Sequence, residues 1–376
     1  MKRVLALLLV LCIFLCACGK EKETEDSTTE VVASDVVEES SVAVVEESSV
    51  VEESSSEIVE EVEEDLIRHP LNGEVLEEVW NGRATAVMIN NLIDALPQYG
   101  ISEADIIYEI ETEGGITRLL ALFSDLTDVG SIGPVRSSRT FYNSVATSFD
   151  APLIHCGGSG GAIKAQYVDN GEQISNWAHI DQRHNGEYFF RDTDRYDYQG
   201  YAWEHTLFTT GEMVLEALSD NGYDTVYEEG ADYSLQFAEK VELDGEKAER
   251  VVVNFNGGKT TTMTYDKDSG KYAAEQYGDI HLDAATGEGM KYRNVIVVYA
   301  EQWFVYDGVY NRSYYDIIGS GTGHFACDGK IVPIKWSRDS VYDEFVYTLE
   351  DDTPLTLGVG NSYIAVVSNN CPVDFE

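Results

Sequence analysis

The chain has 376 residues, of which 68 are acidic and 25 are lysine or arginine, so its formal net charge is -43 at pH 7. Nucleic acid and anionic lipid head groups are polyanions, and this charge excludes both as partners of the surface as a whole. Polycations, sugars and neutral peptides remain open as partners, and a local basic pocket can still bind an anion.

The N-terminus has the layout of a bacterial lipoprotein signal. Lys2 and Arg3 precede an uninterrupted apolar run over residues 4–17, as in a secretory signal peptide. The run is too short to span a membrane, which takes about 20 apolar residues. It ends in Leu-Cys-Ala-Cys, which resembles the lipobox, so we expect residues 1–17 to be removed and Cys18 to carry lipid. The sequence therefore predicts a lipid-anchored protein on the extracytoplasmic face of the cell membrane.

Residues 18–66 are predicted to be the lipidated cysteine followed by a disordered acidic tether. Beyond Gly19 the segment is mainly glutamate, serine and valine, with no aromatic residue and no proline, and such a composition cannot build a core. Its like charges repel one another and favour an extended chain. Fully stretched, the tether would reach on the order of 160 Å, which is far enough to carry a folded domain into a cell wall.

The rest of the chain is long enough for two domains of ordinary size. We expect an α+β fold, with a layered mixed α/β first domain over 67–230 and a mostly β second domain over 231–376. The predicted strands are 84–90, 104–113, 117–123, 152–156, 250–254, 260–266, 292–300 and 363–367, and the predicted helices are 136–149, 161–168 and 210–221. Turns are predicted at Asn256-Gly257, Ser269-Gly270 and Asp328-Gly329.

The predicted folded part contains three cysteines: Cys156, Cys327 and Cys371. An odd number in an oxidising compartment leaves at least one thiol without a partner in the same chain. A bridge between Cys327 and Cys371 is a possibility that their spacing leaves open.

Like charges collect on two neighbouring predicted elements of the first domain. Strand alternation puts Glu109, Glu111 and Glu113 on one face, and the helical period puts Arg136 and Arg139 on another. Each arrangement costs free energy unless the two faces meet or a ligand lies between them. We therefore expect one cleft to gather Glu109, Glu113, Arg118, Arg136, Arg139 and His155.

Two interpretations of this expected cleft stay open. In the first, the charges form an internal salt-bridge network between strand and helix. In the second, arginines hold a carboxylate or phosphate while a glutamate serves as general acid or base. The candidate catalytic residues are Glu109, Glu113, His155 and His205, and the candidate ligand-binding residues are Arg118, Arg136, Arg139 and Ser159.

A glycine-rich segment over residues 157–161 follows a predicted strand, a place where backbone amides can receive an anion. Its spacing is neither that of a dinucleotide loop nor that of a P-loop, and no Gly-x-Ser-x-Gly elbow surrounds Ser159. His155 and Cys156 are adjacent on a strand and point to opposite faces, which disfavours a Cys-His thiol enzyme. The histidines make no zinc spacing. We expect neither a metal nor a cofactor.

Several motifs resemble the YerB-like lipoproteins, a bacterial domain family of unknown function. The motifs are residues 86–91 (Ala-Val-Met-Ile-Asn-Asn), 102–109, 113–118, 132–137 with Arg139, His155 with 157–159, 189–191 and 205–209. The resemblance covers about 69–215, and a weaker one covers about 248–368. It implies a layered α+β first domain but no reaction. The family pattern has alanine at Cys156 and no acid at Glu111, which moves the expected carboxylates onto Glu109 and Glu113.

Two hypotheses about function follow. In the favoured one, the first domain binds an anionic envelope ligand, such as a peptidoglycan stem peptide or glycan, or an acidic segment of an envelope protein. In the alternative, the protein is an envelope hydrolase or transferase in which a glutamate acts as general acid or base on an arginine-oriented substrate. The expected partners are the cell wall or an envelope protein, and the membrane through the lipid on Cys18, but no nucleic acid.

Overall fold

The computed structural model of the protein describes residues 66–160, 177–255 and 258–376. These residues belong to one compact unit, Val62–Glu376. The predicted signal peptide and nearly all of the predicted tether lie outside the described residues, as do the predicted helix 161–168 and the predicted turn at Asn256-Gly257. Among the helices of the described ranges, none is long and apolar enough to cross a membrane.

The described helices and strands alternate in the first half of the chain, whereas the second half is built of strands. The α-helices are α1 (Thr140–Ser148), α2 (Thr193–Asp197) and α3 (Gly211–Asp220), and short 3₁₀ turns lie at Ile93–Ala95, Ile101–Glu103, Glu113–Gly115, Gly186–Tyr188 and Trp203–His205. The strands of the first half are β1 (Thr85–Asn90), β2 (Ile106–Glu111), β3 (Thr117–Phe123), β4 (Ser131–Ile132), β5 (Leu153–His155), β6 (His179–Asp181), β7 (Phe190–Arg191) and β8 (Leu207–Thr210).

The remaining strands are β9 (Gln236–Ala238), β10 (Glu246–Lys247), β11 (Arg250–Asn254), β12 (Thr260–Asp266), β13 (Lys271–Gln276), β14 (Asp279–Ile280), β15 (Leu282–Asp283), β16 (Glu288–Gly289), β17 (Lys291–Tyr292), β18 (Asn294–Tyr306), β19 (Asn311–Asp316), β20 (Gly319–Cys327), β21 (Lys330–Arg338), β22 (Val346–Leu349), β23 (Thr356–Gly358), β24 (Ser362–Ser368) and β25 (Val373–Phe375). The fold class is therefore α+β, as predicted, with strands dominating the second half.

One large sheet draws strands from both halves of the chain. Its order is β10-β21-β20-β18-β24-β2-β3-β1-β5-β6. Near the middle, β24 lies parallel to both β18 and β2, with Ile106 opposite Ser362 and Ile110 opposite Val366. Strands β1, β2 and β3 are buried along their whole length, which is expected of strands covered on both faces.

A hydrophobic core packs on each face of this main sheet. Ile106, Tyr108 and Ile110 of β2 belong to the core that includes Phe141 and Val145 of α1. Ile107 belongs to the other core. That second core is completed by α3 and by a smaller sheet in the order β14-β13-β12-β11-β25. The alternation of β2 thus assigns its odd-numbered side chains to the face covered by the smaller sheet.

The structure corrects the predicted start of the first helix. We predicted a helix over 136–149, but α1 begins at Thr140, with Arg139 as its N-cap. The preceding backbone pairs with neighbouring segments instead: the N–H of Arg136 donates to the Met88 carbonyl at 2.9 Å, and that of Ser138 donates to Gly157 at 2.9 Å. Because these donors are used, Arg136 lies on an extended segment and does not share a helical face with Arg139.

All three cysteines of the folded part are free thiols. Cys327 belongs to the core that contains α1, whereas Cys371 belongs to the core on the other face. The main sheet therefore separates the two cysteines, and the bridge that their spacing left open is not formed.

Candidate functional site

Glu109 lies on β2 and is completely buried. Its Oε1 accepts from Asn91 Nδ2 at 3.0 Å and Thr117 Oγ1 at 2.5 Å. Its Oε2 accepts from Thr261 Oγ1 at 2.9 Å and Tyr363 OH at 2.7 Å. Both carboxylate oxygens are thus bonded to side chains that arrive from other strands.

Lys259 provides the counter-charge for this carboxylate. Its Nζ lies 3.2 Å from Glu109 Oε1, and the lysine side chain is 1% exposed. The same Nζ donates to Thr261 Oγ1 at 2.8 Å and Gln276 Oε1 at 2.9 Å. Burial lowers the pKa of Lys259, and the charge of Glu109 partly opposes this effect. A buried ion pair with its donors and acceptors satisfied leaves no room for a substrate, so the geometry gives Glu109 a part in holding the fold together.

The main sheet separates Glu109 from the predicted arginines. Glu109 is paired with Leu119 in the register of β2 and β3, and Arg118 is paired with Ile110. Residues paired in this way share a face, so Arg118 projects from the α1 face and Glu109 from the opposite one. The charges that we expected in a single cleft therefore form two separate groups, one on each face of the main sheet.

Glu113 joins the arginines because β2 ends before it. It begins a 3₁₀ turn after Glu111, so strand alternation no longer fixes its direction. Arg139 donates to it through two bonds, Nε to Oε1 at 2.7 Å and Nη2 to Oε2 at 2.5 Å. Burial alone would raise the pKa of Glu113, but the bonds and the charge of Arg139 outweigh burial and hold the pKa below its usual value. Glu113 is therefore a stable anion and not a poised proton donor.

Arg118 is buried among positive charges. Its Nη1 donates to the Ser137 carbonyl at 2.6 Å, while none of the described residues accepts from its Nε. Burial, together with the charge of Arg139 and the weaker effect of Arg136, lowers the pKa of Arg118 well below its usual value, and Glu113 only partly compensates. A guanidinium in this setting is short of both an acceptor and a counter-charge.

Arg136 and His205 lie beside one another near the protein surface. Arg136 Nη2 is 2.5 Å from Glu204 Oε2, and the two side chains are 25% and 54% exposed. His205 is buried, and Asn90 donates to its Nδ1 at 2.9 Å. Burial lowers the pKa of His205 despite the nearby charge of Glu204. His205 is thus a neutral imidazole whose Nδ1 is already occupied.

His155 forms a stack with His179 and Trp177. Its Nδ1 lies 2.8 Å from the Gly157 carbonyl, so Nδ1 carries the proton and Nε2 accepts from His179 Nδ1 at 3.0 Å. The rings of Trp177 and His179 are parallel with centroids 4.1 Å apart. Burial lowers the pKa of His155 to about 4. His155 is therefore neutral near pH 7, with both ring nitrogens bonded inside the fold.

Sequence reasoning missed two further arginines that lie close to Cys156. Arg183 forms a bidentate ion pair with Asp181, in which Nη2 lies 2.6 Å from Oδ2. Its side chain also lies over Gly157, where an added Cβ would be 3.2 Å from the Nε of Arg183. Arg191 donates to the Trp203 carbonyl at 2.6 Å. Only the glycines at 157–158 and the family motif at 189–191 could have pointed to them.

Five guanidinium groups thus lie on or beside two paired segments, 136–139 and 156–159, and Ser159 of the second segment is buried. We call this set the arginine cluster; it consists of Arg118, Arg136, Arg139, Arg183 and Arg191. Burial, followed by the charge of Asp181, raises the pKa of Cys156, and the nearby Arg191, Arg136 and Arg183 oppose the rise without cancelling it. The Cys156 thiol is therefore not activated as a nucleophile. Across the described ranges, no group of three or more histidine, cysteine and acidic side chains is arranged to hold a metal ion.

Comparisons with known proteins bear on the fold and on the anchor. Residues 71–224 match the family described as Protein of unknown function (DUF3048) N-terminal domain, and residues 251–364 match its C-terminal domain. The chain is 28% identical over 277 residues to a Bacillus subtilis (strain 168) protein named "Putative lipoprotein YerB", which covers 72% of this chain and 78% of that protein.

The crystal structure of YerB from Bacillus subtilis has the same fold. It aligns with a TM-score of 0.68 at 25% identity and covers 82% of this chain and 99% of its own. The similarity to a lipoprotein supports membrane anchoring through lipid, as the lipobox predicts. With both domains matched and the fold shared, the chain belongs to the YerB-like lipoprotein family.

Proposed function

We propose that the folded part of this lipoprotein binds an anionic ligand of the cell envelope, in the first place peptidoglycan, at the arginine cluster. The observation that carries the proposal is the environment of Arg118, whose buried guanidinium lies beside Arg139 and Arg136 with no described acceptor for its Nε. A carboxylate or phosphate oxygen would supply both the missing acceptor and the missing charge.

The charge balance around the cluster supports an anion. The cluster has five arginines, and three carboxylates form ion pairs with them, those of Glu113, Glu204 and Asp181. The chain as a whole carries a net charge of -43, so a local excess of guanidinium groups runs against the general trend. Such an excess lowers stability unless an anion is bound, and this is a common property of anion sites.

The lipid anchor supports the cell wall as the source of the ligand. A protein held at the outer face of the membrane by lipid on Cys18 and an acidic tether meets peptidoglycan, whose stem peptides carry carboxylates. An acidic segment of an envelope protein has the same chemistry and is the second source to test. No observation favours the hydrolase or transferase, because Glu109 is sealed and Glu113 is held as an anion by Arg139.

The test is co-sedimentation of the purified full-length protein with purified cell wall. Arg136→Ala removes a partly exposed guanidinium and should reduce the sedimented fraction about tenfold, as expected for loss of a charge-assisted hydrogen bond. Glu204→Gln should increase it, because Arg136 is released from its carboxylate partner. Arg250→Gln is the matched control, since Arg250 is an exposed arginine paired with Glu376.

The two directions of change distinguish binding from a structural role. A purely structural ion pair would make Arg136→Ala and Glu204→Gln weaken the protein equally, with the same loss of melting temperature. If Glu204→Gln lowers sedimentation as much as Arg136→Ala does, the ligand site is not at the arginine cluster. Soluble wall fragments released by the wild-type protein would instead identify an enzyme.

A further inference from the structure

A cavity of about 500 Å³ lies beside the end of α1 and shares no residue with the arginine cluster. It is lined by residues 147–151, 177–178 and 230–233 and by Arg83, Tyr227, Tyr342 and Glu344. These residues belong to both halves of the chain. A cavity of this volume, at a junction between parts of a fold, suits a small organic ligand.

Aromatic side chains form much of the cavity wall. Phe149 and Tyr233 are almost completely buried, with ring centroids 5.2 Å apart, while Tyr342 is 48% exposed at the opening. Trp177 is also buried and stacks on His179. Aromatic rings of this kind contact the carbon skeleton of a ligand, and their faces attract organic cations.

The acidic residues on the cavity wall differ in their counter-charges. Asp150 forms an ion pair with Arg83, whose Nη2 lies 2.8 Å from Asp150 Oδ1. In contrast, no cation among the described residues forms an ion pair with Asp232 or Glu344. Glu344 is half-buried, and burial together with the charges of Asp232 and Asp343 raises its pKa, while the charge of Arg338 opposes the rise without cancelling it. Three acidic side chains thus line the cavity against one arginine, Arg83.

The buried indole of Trp177 adds a second requirement. The side chain is 7% exposed and lines the cavity, yet no described residue accepts a hydrogen bond from its Nε1. A buried donor without an acceptor costs free energy. A ligand with a hydroxyl or carbonyl oxygen would remove that cost, whereas a bare cation would not.

We propose that this cavity binds a small organic molecule that carries a primary ammonium group beside hydroxyl groups, as an amino sugar does. The ammonium donates to Glu344 and Asp232, and the aromatic side chains cover the carbon skeleton. A hydroxyl oxygen of the ligand accepts from Trp177. The site therefore has the opposite charge preference to the arginine cluster, and the two sites can be tested separately.

The test uses the full-length protein and two probes of nearly equal shape, glucosamine and glucose, which differ by an ammonium in place of a hydroxyl. Glucosamine should give a saturable shift of the Trp177 indole N–H signal in NMR, identified with Trp177→Phe, and glucose should bind at least tenfold more weakly. Glu344→Gln should weaken glucosamine binding about tenfold. Glu350→Gln removes an equal charge from an exposed position and should leave binding unchanged.

Three results would overturn the proposal. They are equal binding of glucose and glucosamine, no shift of the Trp177 signal with glucosamine up to its solubility limit, and equal effects of Glu344→Gln and Glu350→Gln. Thermal melting of each variant checks that the fold is kept. None of these results bears on wall co-sedimentation through Arg136, so failure here leaves the arginine cluster untouched.

Discussion

At the scale of single residues, a deeply buried pair of opposite charges shows how completely the fold can satisfy an ion pair. Glu109 and Lys259 come from different halves of the chain and form an ion pair inside the second core. Hydroxyl and amide groups of neighbouring side chains form hydrogen bonds with the remaining donor and acceptor positions of the two charged groups. Removing two charges from water costs several kcal/mol per ion, so the pair persists because its partners are complete. Removing one member of the pair would leave the other charge buried without a counter-charge.

We therefore predict that Glu109→Gln lowers the free energy of unfolding by about 3–5 kcal/mol, because it leaves Lys259 charged and buried. Adding Lys259→Met should restore part of the loss. Glu249→Gln is the control, since Glu249 and its partner Lys267 are 54% and 71% exposed, and it should cost less than about 1 kcal/mol. Equal losses for Glu109→Gln and Glu249→Gln in denaturant titrations would contradict this account.

The sequence indicated which residues of the first half carry charge chemistry, but not how they are paired. Arg139 with Glu113 could be expected because both lie close in the chain to the same strand and helix. Lys259 could not, because nothing local marks a lysine that will be buried by a partner from a distant strand. The expected convergence of Glu109 with Arg118 was wrong because two strands of opposite parity place them on different faces.

At the scale of elements, strands with strong local patterns were found where predicted. β3, β11 and β12 have the predicted bounds, and α3 differs by one residue at each end. The predicted bounds are wrong where pairing with a neighbouring segment determines the backbone conformation. Residues 136–139 do not join the helix because other segments accept the backbone N–H groups of Arg136 and Ser138. β18 continues to Tyr306 because β19 pairs with its far end.

Strand β20 provides a prediction about close packing between strands. A Cβ at Gly323 would lie 2.4 Å from the Val297 carbonyl oxygen, so Gly323→Ala should force β20 away from β18 and cost about 1–3 kcal/mol. At Gly130 an added Cβ meets no atom within 4 Å, and Gly130→Ala should change stability by less than about 0.5 kcal/mol. Thermal or denaturant unfolding measures the stability change of both variants. An unchanged stability of Gly323→Ala would contradict the prediction, because it would show that β20 and β18 can move apart without loss of free energy.

At the scale of the whole molecule, the main sheet makes the two halves interdependent. β24, from near the end of the chain, lies between β18 and β2 and pairs with both. The smaller sheet of the second half also completes the core beneath the odd-numbered residues of β2. Neither half can bury its share of the main sheet without the other.

This interdependence predicts a single cooperative unfolding transition for the full chain. Glu109→Gln in the first half and Gly323→Ala in the second should lower the midpoint of the same transition, followed by tryptophan fluorescence and by circular dichroism. Residues 67–230 alone should show no cooperative transition, because β2 loses β24 and Glu109 loses Lys259. A soluble 67–230 fragment with its own sharp melting curve would disprove this view of the fold.

The position of β24 also determines when the protein can become native during its synthesis. The hydrogen bond from Tyr363 to Glu109 joins residues 254 apart in sequence, and contacts so distant form late because loop closure must precede any stabilisation. Until β24 has been synthesised, β2 has an unpaired edge and Glu109 lacks its hydrogen bond from Tyr363. A chain that ends before β24 therefore has an incomplete main sheet and does not form a smaller native domain.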